Sequence, residues 1–155
     1  MLVRGPNVFQ GYWNQPEATA ASFGDGWFRT GDLTRLDAAG FAAIVGRKRE
    51  LIISGGENIY PLEVEQILAA HPAVAEAAVF GLPDERWGEI PVAALAPATG
   101  RAVDAKDLLA YCAGRLARYK CPRRIAFFPA LPRNAAGKID KRALARTFGS
   151  ARPIS

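Results

Sequence analysis

The placement of glycine and proline constrains this chain more than any other feature. Gly5-Pro6, Gly11, Asn14, Pro16, Gly24 and Gly26 punctuate the first thirty residues, so this stretch reads as loop-rich. One short helix fits there, Pro16 to Phe23, because Glu17 and Ala18 to Ala21 favour helix. Val3-Arg4-Gly5-Pro6 is strand-like and then turn-like, which reads as the middle of a sheet rather than a natural beginning. Beyond Pro61 the punctuation thins and regular apolar patterns take over.

Thr34 to Gly46 reads as a hairpin, with Leu33–Leu36 and Phe41–Val45 flanking the turn Asp37-Ala38-Ala39-Gly40. Leu51-Ile52-Ile53 is a short apolar strand, and Gly55-Gly56-Glu57-Asn58 a turn. Pro61 opens a helix, where its missing N–H costs nothing, and Val64, Ile67 and Leu68 give that helix an apolar face. His71-Pro72 ends it. Val74–Phe80 and Ile90–Leu95 read as sheet strands. Asp104 caps a second helix, predicted to bury Leu108, Leu109, Cys112 and Leu116. Ile125–Phe128 reads as a strand and Lys141–Phe148 as a last helix. The expected class is α+β, with a short mixed sheet flanked by helices.

At 155 residues the chain can hold one modest domain, or one domain plus part of another. Half the residues are hydrophobic and 23% charged, as in soluble globules. No apolar run approaches the ~20 residues of a spanning helix, and no signal peptide is evident. Cys112 and Cys121 lack zinc spacing and the chain has 1 His, so no metal site is expected and both read as reduced thiols of a cytoplasmic protein. The net charge of +5 concentrates in Arg47-Lys48-Arg49 and between Arg115 and Arg146. Such a surface attracts anions, whether nucleic acid or a phosphate-rich cofactor; a merely solvated basic face is the plain alternative.

Three segments stand out: Gly26-Trp27-Phe28-Arg29-Thr30-Gly31-Asp32; the run from Gly46-Arg47-Lys48-Arg49-Glu50 through Ser54-Gly55-Gly56-Glu57-Asn58 to Glu65; and Leu131-Pro132-Arg133-Asn134-Ala135-Ala136-Gly137-Lys138-Ile139-Asp140. Each alone has an ordinary reading. Asp32 after glycine suits a turn, Gly55-Gly56 lacks the Gly-Lys-Ser/Thr of a P-loop, and most lysines like Lys138 simply face solvent. Together and in this order, they resemble three signatures of the adenylate-forming superfamily: acyl- and aryl-CoA synthetases, luciferases and the adenylation domains of peptide synthetases. The resemblance covers nearly the whole chain.

The resemblance implies a two-step reaction, in which a carboxylate attacks ATP to give an acyl-adenylate and a thiol then displaces AMP. It implies that residues 1–48 are the β-rich tail of a larger N-terminal domain and 49–155 a mobile C-terminal lid that rotates between steps. Asp32 then matches the ribose-binding aspartate and Arg47 a second nucleotide contact. Arg49 falls on the hinge position, where the family usually has Asp or Lys. Lys138 matches the adenylation lysine. Gly55, Gly56 and Glu57 resemble the segment lining a pantetheine tunnel, while Trp87, Tyr119 and Arg123 match CoA-contacting positions; the rival for the two aromatics is plain packing. ATP or AMP with Mg2+ and CoA are the implied cofactors and co-substrate, a small carboxylate the implied substrate. The family's phosphate-binding loop and acyl pocket have no counterpart here, so the isolated chain is expected to lack ligase activity and to need the N-terminal domain as partner. Two rivals remain open: an adenylation domain that loads a carrier protein, and a basic nucleic-acid-binding module.

Overall fold

A computed structural model describes residues 1–150. The backbone contacts cluster into two units, Met1–Arg49 and the remainder from Glu50 onward.

The first unit carries more strand than its loop-rich sequence suggests. β1 (Leu2–Val3) is followed by α1 (Pro16–Ser22), β2 (Phe23–Gly24) and β3 (Trp27–Arg29). β3 lies between β1 and β2, antiparallel to both. Phe23 therefore leaves the helix and joins a strand. It does so because its ring, with Phe9 and Phe28, builds a small aromatic cluster: Phe9–Phe28 centroids are 5.0 Å apart and Phe23–Phe28 5.3 Å. That packing outweighs the local helix preference. The expected hairpin follows as β4 (Asp32–Leu36) and β5 (Ala42–Arg47). Asp37 fixes its turn, one carboxylate oxygen accepting from the Ala39 and Phe41 N–H groups, each at 2.9 Å. The register sets Asp32 opposite Arg47.

A short 3-10 turn, Lys48–Glu50, leads into the second unit. There β6 (Ile52–Ser54) and β7 (Glu57–Ile59) form a tight hairpin around Gly55-Gly56. Glu57 and Asn58 thus belong to a strand, not to the turn. α2 (Pro61–Ala69), β8 (Val74–Asp84), β9 (Gly88–Pro97), α3 (Ala105–Ala113), β10 (Arg124–Phe127) and α4 (Lys141–Ser150) complete the unit. Asp104 does cap α3, accepting from the Lys106 N–H at 3.2 Å.

β9 is the central strand of a five-stranded mixed sheet. β8 runs antiparallel along one of its edges; the other edge pairs with β10 in parallel at Val92–Leu95 and touches β6 at Gly88. Both faces of this sheet are covered. Ala93 and Leu95 look toward a core with Val64 and Leu68 of α2 and Leu108 and Cys112 of α3. Val92, Ala94 and Ala96 look the other way, toward Leu131 and Leu144 and Phe148 of α4. A strand buried on both faces has to be apolar throughout rather than alternating, and Pro91 to Ala96 is fully buried. Leu109 and Leu116, expected in the core, are only partly buried.

Candidate functional site

Asp32 opens β4 and is 9% exposed, the most enclosed carboxylate of the first unit. Its Oδ1 receives the Arg47 Nε at 2.8 Å, and Arg47 Nη1 donates to the Thr30 carbonyl at 2.9 Å. The guanidinium is therefore fixed at two points, the Asp32 carboxylate and the Thr30 carbonyl. Arg49 lies in the 3-10 turn just beyond, exposed.

Lys138 stands on a loop closed by a bridge between Arg133 and Ile139. Asn134 Oδ1 accepts from the Ala136 and Lys138 N–H groups at 3.0 and 3.1 Å, and the Asn134 N–H donates to the Lys138 carbonyl at 2.8 Å. Gly137 has φ +74°, a left-handed conformation that glycine adopts without strain. The loop backbone is thus rigidly bonded, yet the Lys138 side chain is exposed and has no ion pair among the described residues.

The glycine pair and Trp87 come together, although 31 residues or more separate them in sequence. The Gly55 N–H donates to the Trp87 carbonyl at 2.8 Å. A Cβ on Gly55 would sit 2.7 Å from the indole, so the space beside Gly55 is filled by Trp87; at Gly56 nothing lies within 4 Å. Only Gly56 keeps open room of the kind expected for both. Arg123 and Arg86 lie over the Trp87 ring, their guanidinium carbons 4.7 and 4.9 Å from its centroid. Glu57 begins β7 with its side chain exposed. Tyr119 is 40% exposed on a separate turn, and among the described residues its one ring partner is Lys120, at 5.9 Å.

Sequence reasoning missed a second set of charges. Lys141, at the start of α4, lies 2.8 Å from both Glu50 and Glu65. Burial opposes its charge, but Glu65 and Glu50 outweigh burial and raise its pKa above the usual 10.5. Lys120 is raised through its hydrogen bond to Glu63. Cys112 is pushed up to about 11 by burial. Asn134 had a readable signal, an Asn with a Gly three residues on, which marks a side-chain-capped turn; the ion pairs span too much sequence to be read.

Residues 63–138 match the family described as the AMP-binding enzyme C-terminal domain. Those residues carry the AMP-binding enzyme C-terminal domain, and the chain is similar to CoA ligases of the adenylate-forming superfamily. Over 91% of its length it is 53% identical to the indoleacetate–CoA ligase of Aromatoleum aromaticum, and over 99% it is 44% identical to a long-chain-fatty-acid–CoA ligase of Mycobacterium tuberculosis. The solved o-succinylbenzoate CoA synthetase of Bacillus subtilis, in complex with its acyl-adenylate intermediate, superposes with a TM-score of 0.86 at 47% identity over 98% of this chain. The chain spans 28% to 30% of the length of these relatives. Among the described residues no helix is long and apolar enough to cross a membrane.

Proposed function

We propose that this chain is the C-terminal part of an ATP-dependent acid–thiol ligase that makes an acyl-adenylate and then an acyl-CoA thioester. Lys138 carries this reading: an exposed ammonium with no ion pair among the described residues, on a loop whose backbone is held by several hydrogen bonds. When bound, ATP supplies the α-phosphate that the carboxylate attacks and the pyrophosphate that leaves. Lys138 is the group that meets the charge developing on those oxygens, and a free ammonium does so without first breaking an ion pair. Asp32 accepts the ribose hydroxyls. Its enclosed position fits that task, since an ionised carboxylate is acceptor-only and can take O–H donors. Residues 1–48 are the tail of the N-terminal adenylation domain, 49–155 the mobile domain, and Arg49 the hinge. Mg2+ would accompany the ATP and be held largely by its phosphate oxygens and water.

For the second step, Gly56 leaves the passage for a pantetheine arm, with Glu57 beside it. Arg123 suits CoA phosphates, with Trp87 beneath it in the same CoA contact. Tyr119 is a more peripheral contact. The acceptor is free CoA and the enzyme works in the cytoplasm. Arg47, Lys120, Arg133 and Lys141 each hold a carboxylate of the chain itself, so these four cations have local structural partners. The relatives' names carry an indole acid, a fatty acid and a succinylbenzoate. A common C-terminal part thus serves varied acids, and the acid is chosen upstream. The test is to incubate the full-length enzyme with ATP, such acids and either free CoA or a phosphopantetheinyl carrier protein. Thioester on free CoA is expected; thioester on the carrier alone would favour carrier loading.

A further inference from the structure

Asn134 and Gly137 give the Lys138 loop its shape, but they do not fix its place on the domain. Leu131 and Ile139 pack the two ends of the loop into the core, and the side-chain link from its tip to the sheet is made by Arg133. Its Nη1 donates to the Gly137 carbonyl at 2.8 Å, one residue before Lys138, and its Nη2 donates to Glu76 Oε1 on β8. A rigid guanidinium presents both N–H groups in one plane, so one side chain sets the spacing between the loop and the sheet. The sheet side is prepared as well. The β8–β9 register shifts between Val74 and Glu76, a bulge of the kind that re-aims a side chain. Glu76 follows it directly and is half-buried while Ala75 is exposed.

The geometry points to Arg133 and Glu76 as positioning residues for Lys138: Glu76 anchors Arg133, and Arg133 holds the Gly137–Lys138 peptide in the orientation from which the ammonium reaches the nucleotide. The inference rests on the adenylation role proposed for Lys138. Lys138 has no side-chain partner of its own among the described residues, so the backbone at its base is what aims it. A lysine at position 133 keeps the charge but cannot hold both partners in one plane.

The experiment compares Arg133→Lys, Glu76→Gln and Lys138→Ala in the full-length enzyme. Acyl-adenylate formation is followed by pyrophosphate release, and thioester formation separately from supplied acyl-adenylate. Arg133→Lys is expected to slow adenylation about tenfold to a hundredfold, in line with small misplacements of a catalytic group, and Glu76→Gln to slow it less. Both should keep the wild-type rate from supplied adenylate and the wild-type melting temperature. In the present chain, amide exchange at Lys138 should quicken in Arg133→Lys. Equal loss of both half-reactions would mean a merely structural role and overturn the inference. So would wild-type adenylation by both variants alongside a dead Lys138→Ala enzyme. Intact adenylation in Lys138→Ala would instead bring down the proposed function, and this inference with it.

Discussion

The indole of Trp87 occupies the space that a side chain on residue 55 would need, its Cε3 lying 2.7 Å from an ideal Cβ on Gly55. Gly55 and Gly56 are therefore not equivalent, although they stand side by side and both have positive φ, +60° and +86°. Gly55→Ala meets a left-handed backbone and the ring. Gly56→Ala meets only the backbone. The left-handed penalty is about 1–2 kcal/mol, and overpacking adds about 1–3 kcal/mol at Gly55 alone. Urea unfolding of the two variants should show Gly55→Ala clearly the less stable; equal midpoints would remove the packing role given to Trp87.

Lys141 joins the start of α4 to Glu50 and to Glu65 of α2, whose Oε1 also accepts the Val79 N–H at 2.8 Å. Lys141→Met should leave two carboxylates facing each other. Removing one partner of a fully buried pair costs about 3–5 kcal/mol, and the partial exposure here brings the expectation to about 2 kcal/mol. The pH dependence has a definite sign. Because the folded pKa of Lys141 is raised above 10.5, its contribution is complete below that value and is lost as pH rises through the folded pKa. The stability gap between wild type and Lys141→Met should thus be constant around neutrality and close on the alkaline side. A gap that persists unchanged through strongly alkaline pH would contradict the assignment.

Cys112 is completely buried, and burial followed by the nearby Cys121 pushes its pKa up to about 11, with Arg115 opposing. Cys121 is raised by burial too, but it is only partly buried. Thiolate is the reacting form. A thiol reagent at mildly alkaline pH should modify Cys121 first, with Cys112 reacting only when the domain opens. Mass spectrometry of partly labelled protein decides the order, and early label on Cys112 would show that the core is less closed than described.

Arg47 touches Asp32 through Nε and the Thr30 carbonyl through Nη1. Lysine keeps the charge but lacks the planar fork that spaces these two contacts. In the full-length enzyme Arg47→Lys should weaken nucleotide binding by about tenfold, the scale of a lost hydrogen bond to a charged group, and Asp32→Ala should weaken it more. Isothermal titration with AMP measures both. Unchanged affinity in both variants would remove the Asp32–Arg47 pair from the nucleotide site.

Local chemistry made much of the fold legible. Pro61 at a helix start, Asp104 as a cap and Asp37 in a hairpin turn each act within a few residues, and each is where the sequence indicates. Elements decided by distant partners were harder to read. Glu57 and Asn58 look like turn residues until β6 pairs with them, and Phe23 looks helical until Phe9 and Phe28 surround it. The parallel seat of β10 beside β9 has no local signal at all. The same holds for the sites. Motif spacing drew attention to Asp32, Gly55 and Lys138. The partners that constrain them, Arg47, Trp87 and the Arg133–Glu76 pair, act through geometry that pattern alone does not contain.

The most direct test of the whole account separates the two half-reactions in the full-length enzyme carrying Lys138→Ala. Removing one preorganised charge-stabilising donor costs about 10²–10³ in rate. Acyl-adenylate formation from acid and ATP should fall by at least that order, while thioester formation from supplied acyl-adenylate and CoA stays near the wild-type rate. Equal loss of the two steps, or unimpaired adenylation, would contradict the role assigned to Lys138.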